Sequence, residues 1–294
     1  MKILPKIDIH VHSRLDPVTF LRVSDYTYAL PEELRTIYRQ HGIERGLLLP
    51  SPWEISMRET RQMVRDNPDV FGWWFCVFDP MIYFNDPGRD LTDQLRLYKA
   101  LGARGIGEFT YNYYLDEPCM LNLLRYAERE DMPFFFHIGD KGHGYGVVDD
   151  FGLPRLEKVL QMFPTLTFIG HSQRFWSEIS GDVRQEQRGG YPKGKVTPGG
   201  RVVELMRKYP NLCGDLSAGS GFNAVTRDLD FGCAFLEEFQ DRLFYGSDIS
   251  DPRPERCDML ALIGWLDDAM LQGRISYAAY EKISRGNALA LLEK

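Results

Sequence analysis

Eight short apolar runs, each followed by a stretch of helical periodicity, constrain the folding of this chain more than any other feature. The runs cover residues 6–12 (KIDIHVH), 43–50 (IERGLLLP), 71–79 (FGWWFCVFD), 103–110 (ARGIGEFT), 133–140 (PFFFHIGD), 166–172 (LTFIGHS), 212–218 (LCGDLSA) and 243–248 (LFYGSD). They are nearly continuous in apolar residues rather than alternating, which is how parallel strands read when helices cover their outer face. Amphipathic segments lie between them. Residues 31–41 carry Pro31 in the first turn, Glu32 and Glu33 near the positive end and Gly42 as a stop. Residues 54–67 end against Pro68, and further helical segments span 90–101, 116–131, 154–163, 200–209, 228–241 and 254–268.

Repeated strand–helix units joined by right-handed crossovers form a parallel sheet. Eight units favour a closed (β/α)₈ barrel over an open sheet, and no glycine-rich phosphate loop follows the first run. A single catalytic TIM-barrel domain is expected over residues 1–294, with residues 276–294 as one or two closing helices. Two connections exceed ordinary loop length, residues 13–30 and 173–199, and both fall on the face where barrels build their sites. Within the second, the Gly- and Lys-rich residues 189–200 read as a moving lid or an oligomer contact.

Composition narrows the function. The net charge of −7 and the lack of a basic stripe argue against nucleic acid as partner. No apolar run approaches the ~20 residues of a membrane span. The five cysteines are odd in number and contain no CxxC pair, so a disulfide framework or thiolate zinc site is not expected and a cytoplasmic location fits. The opening MKILPKIDIHVH does not read as a secretory signal.

The six histidines are unevenly placed. His10, His12, His137 and His171 stand at the ends of runs one, five and six. Alternate strand positions share a face, so His10 and His12 are expected to point together into the barrel mouth as a two-ligand clamp. A lone inward histidine is as often a hydrogen-bonded core residue; an HxH with two more strand-end histidines and a strand-end aspartate is not. That aspartate, Asp248, ends run eight, where a helix N-cap is the competing role. As a metal ligand it would be placed to act as general base and acid toward metal-activated water. Glu108 ends run four and either bridges two metals or pairs with a cation in the mouth. Asp8 is expected to point inward one layer deeper, as a hydrogen-bond acceptor. His41 reads as a surface residue at a helix end, and His143 as a loop residue or a substrate contact.

IDIHVH, FFFHIGD, FIGHS and YGSD, in that order, resemble the amidohydrolase superfamily along the whole chain, in particular the branch of aminocarboxymuconate-semialdehyde decarboxylase. The resemblance implies one divalent metal on His10, His12, His137 and Asp248, with His171 polarising water or substrate. GIGEFTYNYY also resembles the strand-four segment of TatD-like deoxyribonucleases. That likeness implies His10, His12 and Asp248 on one metal, His137 and His171 on another, and Glu108 between them. One metal is favoured. Zinc is the default from the donor types, with manganese or iron also suited.

Substrate contacts are expected from loops after the strands: Arg14, Trp53, Tyr111, Tyr113, Lys141, Gln173, Arg174, Phe175 and Trp176, with Arg174 the leading anion binder. Aromatic faces beside cations suit a small carboxylate-bearing molecule. Hydrolysis of a C–N or C–O bond is the first expectation and non-oxidative decarboxylation the second. Phosphodiester cleavage and non-catalytic metal binding are weaker alternatives. A homodimer is expected.

Overall fold

The computed structural model describes residues 2–16, 27–50, 56–81, 86–142, 144–253 and 259–294. The expectations for Trp53, His143 and the start of a helix at residue 254 lie outside them.

All eight expected strands form: β1 (Lys6–Val11), β2 (Ile43–Leu48), β3 (Phe71–Cys76), β4 (Ala103–Phe109), β5 (Phe134–Gly139), β6 (Phe168–His171), β7 (Leu212–Asp215) and β8 (Leu243–Phe244). Each pairs in parallel with the next in sequence. The ring closes between its ends, where Asp248 N–H donates to His10 O (2.7 Å), His12 N–H to Ile249 O (2.8 Å) and Ile9 N–H to Tyr245 O (3.2 Å). The protein is a (β/α)₈ barrel. No helix among the described residues is long and apolar enough to cross a membrane.

Local chemistry sets the helix bounds. Helix Pro31–His41 begins with Pro31, while the Glu33 carboxylate accepts from Leu30 N–H at 2.8 Å. It stops at Gly42, whose φ of 69° suits glycine and lets its N–H reach Tyr38 O. Leu34, Ile37 and Tyr38 face the strands. The remaining expected helices appear one to three residues shorter at most ends, because capping residues leave the helical ladder. Helix Ala218–Thr226, after β7, was not anticipated.

Two apolar layers result. Ile7, Ile9, Leu47, Leu49, Trp73, Phe75, Phe135, Ile169, Cys213 and Phe244 fill the barrel, and Ala288 and Leu292 of helix Asn287–Leu292 join them. A larger cluster packs the outer strand faces against the helices. The interior is therefore a core with its polar residues left at one end, the C-terminal ends of the strands.

Two bulges aim the polar residues. On β1, Asp8 pairs with Gly46 and Val11 with Leu48, so three residues oppose two. Ile9 and His10 both turn inward across this bulge, the His10 ring meeting Phe135 at 5.0 Å. On β4, Ile106 pairs with Phe134 and Phe109 with Phe136, placing an extra residue at Gly107–Glu108. Gly107 has φ 135°, and a Cβ there would lie 2.4 Å from Phe135 O, so only glycine fits.

The bulge on β1 corrects the expectation for Asp8. Its side chain faces the helix layer, not the mouth. It accepts from Tyr38 Oη (2.9 Å), Ser247 Oγ (2.6 Å), Ser247 N–H (2.8 Å) and His10 N–H (3.0 Å). Burial pushes its pKa up to about 6, against the pull of Ser247 and its other donors.

The connection after β6 is tied down. Arg188 and Glu178 form a buried ion pair at 2.6 Å, and Arg188 also donates to Asp149 O at 2.6 Å. Further along, Asp228 accepts from Val196 N–H at 3.0 Å and Ser180 Oγ from Thr197 N–H at 2.8 Å.

Candidate metal centre

Six side chains converge at the C-terminal end of the barrel: His10 and His12 from β1 and its end, Glu108 from β4, His137 from β5, His171 from β6 and Asp248 just beyond β8. His10 Nε2 and His12 Nε2 are 3.1 Å apart. Glu108 Oε2 lies 3.7 Å from the first and 3.6 Å from the second, and Asp248 Oδ1 lies 3.3 and 3.5 Å from them. Donors held ~2.0–2.2 Å from a tetrahedral cation stand roughly 3.3–3.6 Å apart, so these spacings match such a cage.

The hydrogen bonds behind the rings fix their tautomers. His12 Nδ1 is 2.8 Å from Leu49 O, which only accepts, so that nitrogen carries the proton. His10 Nδ1 is 2.8 Å from Asp215 Oδ2. In their neutral forms both rings therefore direct bare Nε2 lone pairs at one point. Two lone pairs at 3.1 Å repel unless a positive species sits between them.

The carboxylates make the same demand. Glu108 and Asp215 are buried and Asp248 is partly so, and among the described residues none of the three pairs with lysine or arginine; their ion-pair partners are histidines. Burial alone would raise Glu108, but His10 and His137 hold it well below its usual range. Burial likewise opposes Asp248, and His10, His12 and His171 hold it low. His10 shows the counterpart: burial would lower its pKa, yet Asp248, Asp215 and Glu108 raise it well above the ordinary value. The cluster is an excess of buried negative charge with nitrogen donors turned inward, which fits a divalent cation.

The expected ligand sets are not equally served. His137 does not join the first cage; its Nδ1 lies 3.0 Å from the other oxygen of Glu108, Oε1. With His171 it forms a second potential ligand group on Glu108. His171 Nε2 is 3.7 Å from Asp248 Oδ2. The geometry follows the bridged arrangement more closely than the set His10, His12, His137 and Asp248.

The sequence pattern does not single out Asp215 and Ser217, which the fold brings behind the cluster. Asp215 Oδ2 accepts from the Nδ1 of both His10 and His171, at 2.8 and 3.0 Å, and Ser217 Oγ donates to the same carboxylate while lying 3.1 Å from each ring. Burial would raise Asp215, but the two rings hold it far below the usual carboxylate range. One signal is present: run seven closes with Asp-Leu-Ser-Ala, as run eight closes with Ser-Asp.

The expected substrate contacts fare differently. Trp176 is 2% exposed, with Nε1–H donating to Asp215 O at 2.8 Å, and Phe175 is fully buried beside it. Tyr111 packs in the outer core between Phe109 and Tyr113, and Tyr113 Oη donates to Asp79 at 2.9 Å. Gln173 donates to Tyr191 Oη at 3.1 Å. Lys141 is exposed and lies over the Tyr114 ring. Arg174 is engaged by Asp140. These placements correct the mouth-lining expectation for Trp176, Tyr111 and Phe175, which are core residues, and weaken it for Arg174, whose charge is already paired. Arg14, two residues past His12, differs: its guanidinium makes no ion pair or hydrogen bond among the described residues and lies 5.7 Å from the Tyr28 ring centre.

A parallel eight-stranded barrel with histidines and carboxylates gathered at its C-terminal end defines a class of metal-dependent barrel proteins. The sequence profile described as Amidohydrolase matches residues 7–294, and the chain belongs to that family. No curated protein sequence matches it significantly. Among solved structures, it resembles a probable 2-pyrone-4,6-dicarboxylic acid hydrolase from Acinetobacter baumannii with citric acid bound, at 14% identity and TM-score 0.60, over 99% of this chain and 100% of that one. It also resembles an amidohydrolase from Burkholderia multivorans with bound zinc, at 14% identity and TM-score 0.61, over 98% and 99% of the two chains. A β-aspartyl dipeptidase from Fervidobacterium islandicum AW-1 is similar at 12% identity and TM-score 0.58, over 99% of this chain and 75% of that one.

Proposed function

We propose that the protein is a metal-dependent hydrolase acting on a C–N or C–O bond of a small, carboxylate-bearing substrate. The observation that carries this reading is the convergence of His10 Nε2 and His12 Nε2, 3.1 Å apart, with Glu108 Oε2 and Asp248 Oδ1, each 3.3–3.7 Å from both rings. When bound there, a divalent cation polarises a scissile carbonyl and acidifies water. Zinc suits the donors, and one similar structure contains it.

The chain's own groups supply the rest. The Asp248 side chain is 26% exposed against 3% for Glu108, so Asp248 is the carboxylate that substrate and water can reach. It takes the proton from the attacking water and returns it to the leaving group. His171, fixed through Nδ1 by Asp215, turns Nε2 toward Asp248 and orients it. Arg14, which lies over the Tyr28 ring and whose Nε has no hydrogen-bond partner among the described residues, offers its guanidinium beside the HxH to a substrate carboxylate. A second cation on Glu108 Oε1, His137 and His171 is a variant of the same reading, favoured by the 3.0 Å His137–Glu108 contact.

The test is a panel of small lactones, esters and amides bearing a free carboxylate, followed by acid release and, in parallel, by CO₂ release. Acid release without CO₂, dependent on added Zn²⁺ or Mn²⁺ and lost in Asp248→Asn, supports hydrolysis. CO₂ release from a carboxylic acid in its place would make the protein a decarboxylase.

A further inference from the structure

We propose that Tyr145 is a further catalytic residue, whose hydroxyl shifts its one donated hydrogen bond from Glu108 Oε2 to the oxyanion that develops on the substrate beside it. This rests on the hydrolase reading above. Tyr145 Oη lies 3.3 Å from Glu108 Oε2, the oxygen that faces His10 and His12. Its ring meets His137 edge to face at 4.8 Å. Yet the residue is 44% exposed, while Glu108 is 2% exposed. A tyrosine kept for packing alone buries its ring; this residue stays exposed while its hydroxyl reaches the buried Glu108.

The backbone around Tyr145 is built to hold it there. Asn112 Nδ2 donates to Asp140 O and Gly146 O, both at 2.9 Å, and its Oδ1 accepts from Gly142 N–H at 3.0 Å. Gly146 N–H donates to Thr110 O at 2.7 Å, and the two-residue strand Val147–Val148 then pairs with β5. Gly146 has φ 85°, and a Cβ on it would sit 2.6 Å from Gly139 N and 3.0 Å from His137 Cδ2. Only glycine brings the chain that close to β5, and that approach delivers Tyr145 over the cluster.

Distance permits the contact. A substrate oxygen seated beside Glu108 Oε2 lies near a hydroxyl that is itself 3.3 Å from that carboxylate oxygen, and the hydrogen bond to it needs ~2.7–2.8 Å. Removing one such donor typically lowers kcat by about 100–1000-fold.

Tyr145→Phe deletes only the hydroxyl. Wild type and variant are loaded with Co²⁺, and acetohydroxamate binding is followed through the visible cobalt bands. The variant should hold as much cobalt as wild type and bind acetohydroxamate about 10-fold more weakly. It should hydrolyse 4-nitrophenyl acetate with kcat lowered about 100-fold and KM changed less than about twofold. Equal affinity and equal kcat in the two proteins overturn the role of Tyr145 and leave the hydrolase reading standing. Loss of cobalt from the variant overturns it too, by making the hydroxyl a support for Glu108. A wild-type protein that neither holds Co²⁺ nor cleaves the ester overturns the hydrolase reading and this role together.

Discussion

Asp215 Oδ2 accepts from His10 Nδ1 at 2.8 Å, and that single bond decides which nitrogen of His10 faces the cluster. The same oxygen accepts from His171, so one carboxylate sets the tautomer of two rings. Asp215→Asn should keep the fold and lower divalent-metal affinity about 10–100-fold, measured by competition with a chromophoric chelator. Unchanged affinity would remove Asp215 from the support of the site.

Asp248→Asn keeps an oxygen near His10 and His12 but cannot carry a proton between water and leaving group. Turnover on any substrate found should fall at least about 100-fold, with the thermal midpoint little changed. Full activity in the variant would rule out the proton-transfer role.

The ion pair of Arg188 with Glu178 is buried, at 3% and 1% side-chain exposure, and anchors the connection after β6. Arg188→Ala leaves Glu178 uncompensated and should cost about 3–5 kcal/mol in urea unfolding. A loss below about 1 kcal/mol would show that the connection is held by its other bonds.

Asp149 gives a pH dependence away from the metal centre. Burial pushes its pKa up to about 6 from 3.8, despite donors from Leu156, Arg155 and Asp150. A raised folded-state pKa means that the folded protein holds the proton more tightly. This contribution is fully present below pH 3.8 and is lost as pH rises through about 6. The stability of wild type relative to Asp149→Asn should therefore be more favourable at pH 4 than at pH 7, by roughly 2 kcal/mol. A pH-independent difference in urea unfolding would contradict it.

The barrel was legible because helix-covered parallel strands need long apolar runs, and eight of them stand out. The strands end earlier than the runs, since residues such as His12 and Asp248 leave the ladder to form the mouth. Strand alternation correctly grouped His10 with His12, but it put Asp8 on the same face. The bulge between Asp8 and Val11 breaks the count, and no composition rule signals it. Trp176 and Tyr111 were misplaced for a related reason. A residue following a strand is near the mouth in sequence, yet a large ring can fold back beneath Gly214 or against Phe109. Arg174 looked free because its partner, Asp140, comes from the end of another strand. Pairing of that kind exists only in three dimensions.

The central claim is that His10, His12, Glu108 and Asp248 surround one divalent cation. Its most direct test is the metal content, by elemental mass spectrometry, of wild type, His10→Ala and His12→Ala after Zn²⁺ loading and exhaustive dialysis. The account predicts at least about one zinc per wild-type chain and less than about a tenth of that in either variant. Equal zinc in all three proteins, or none in wild type, would contradict it.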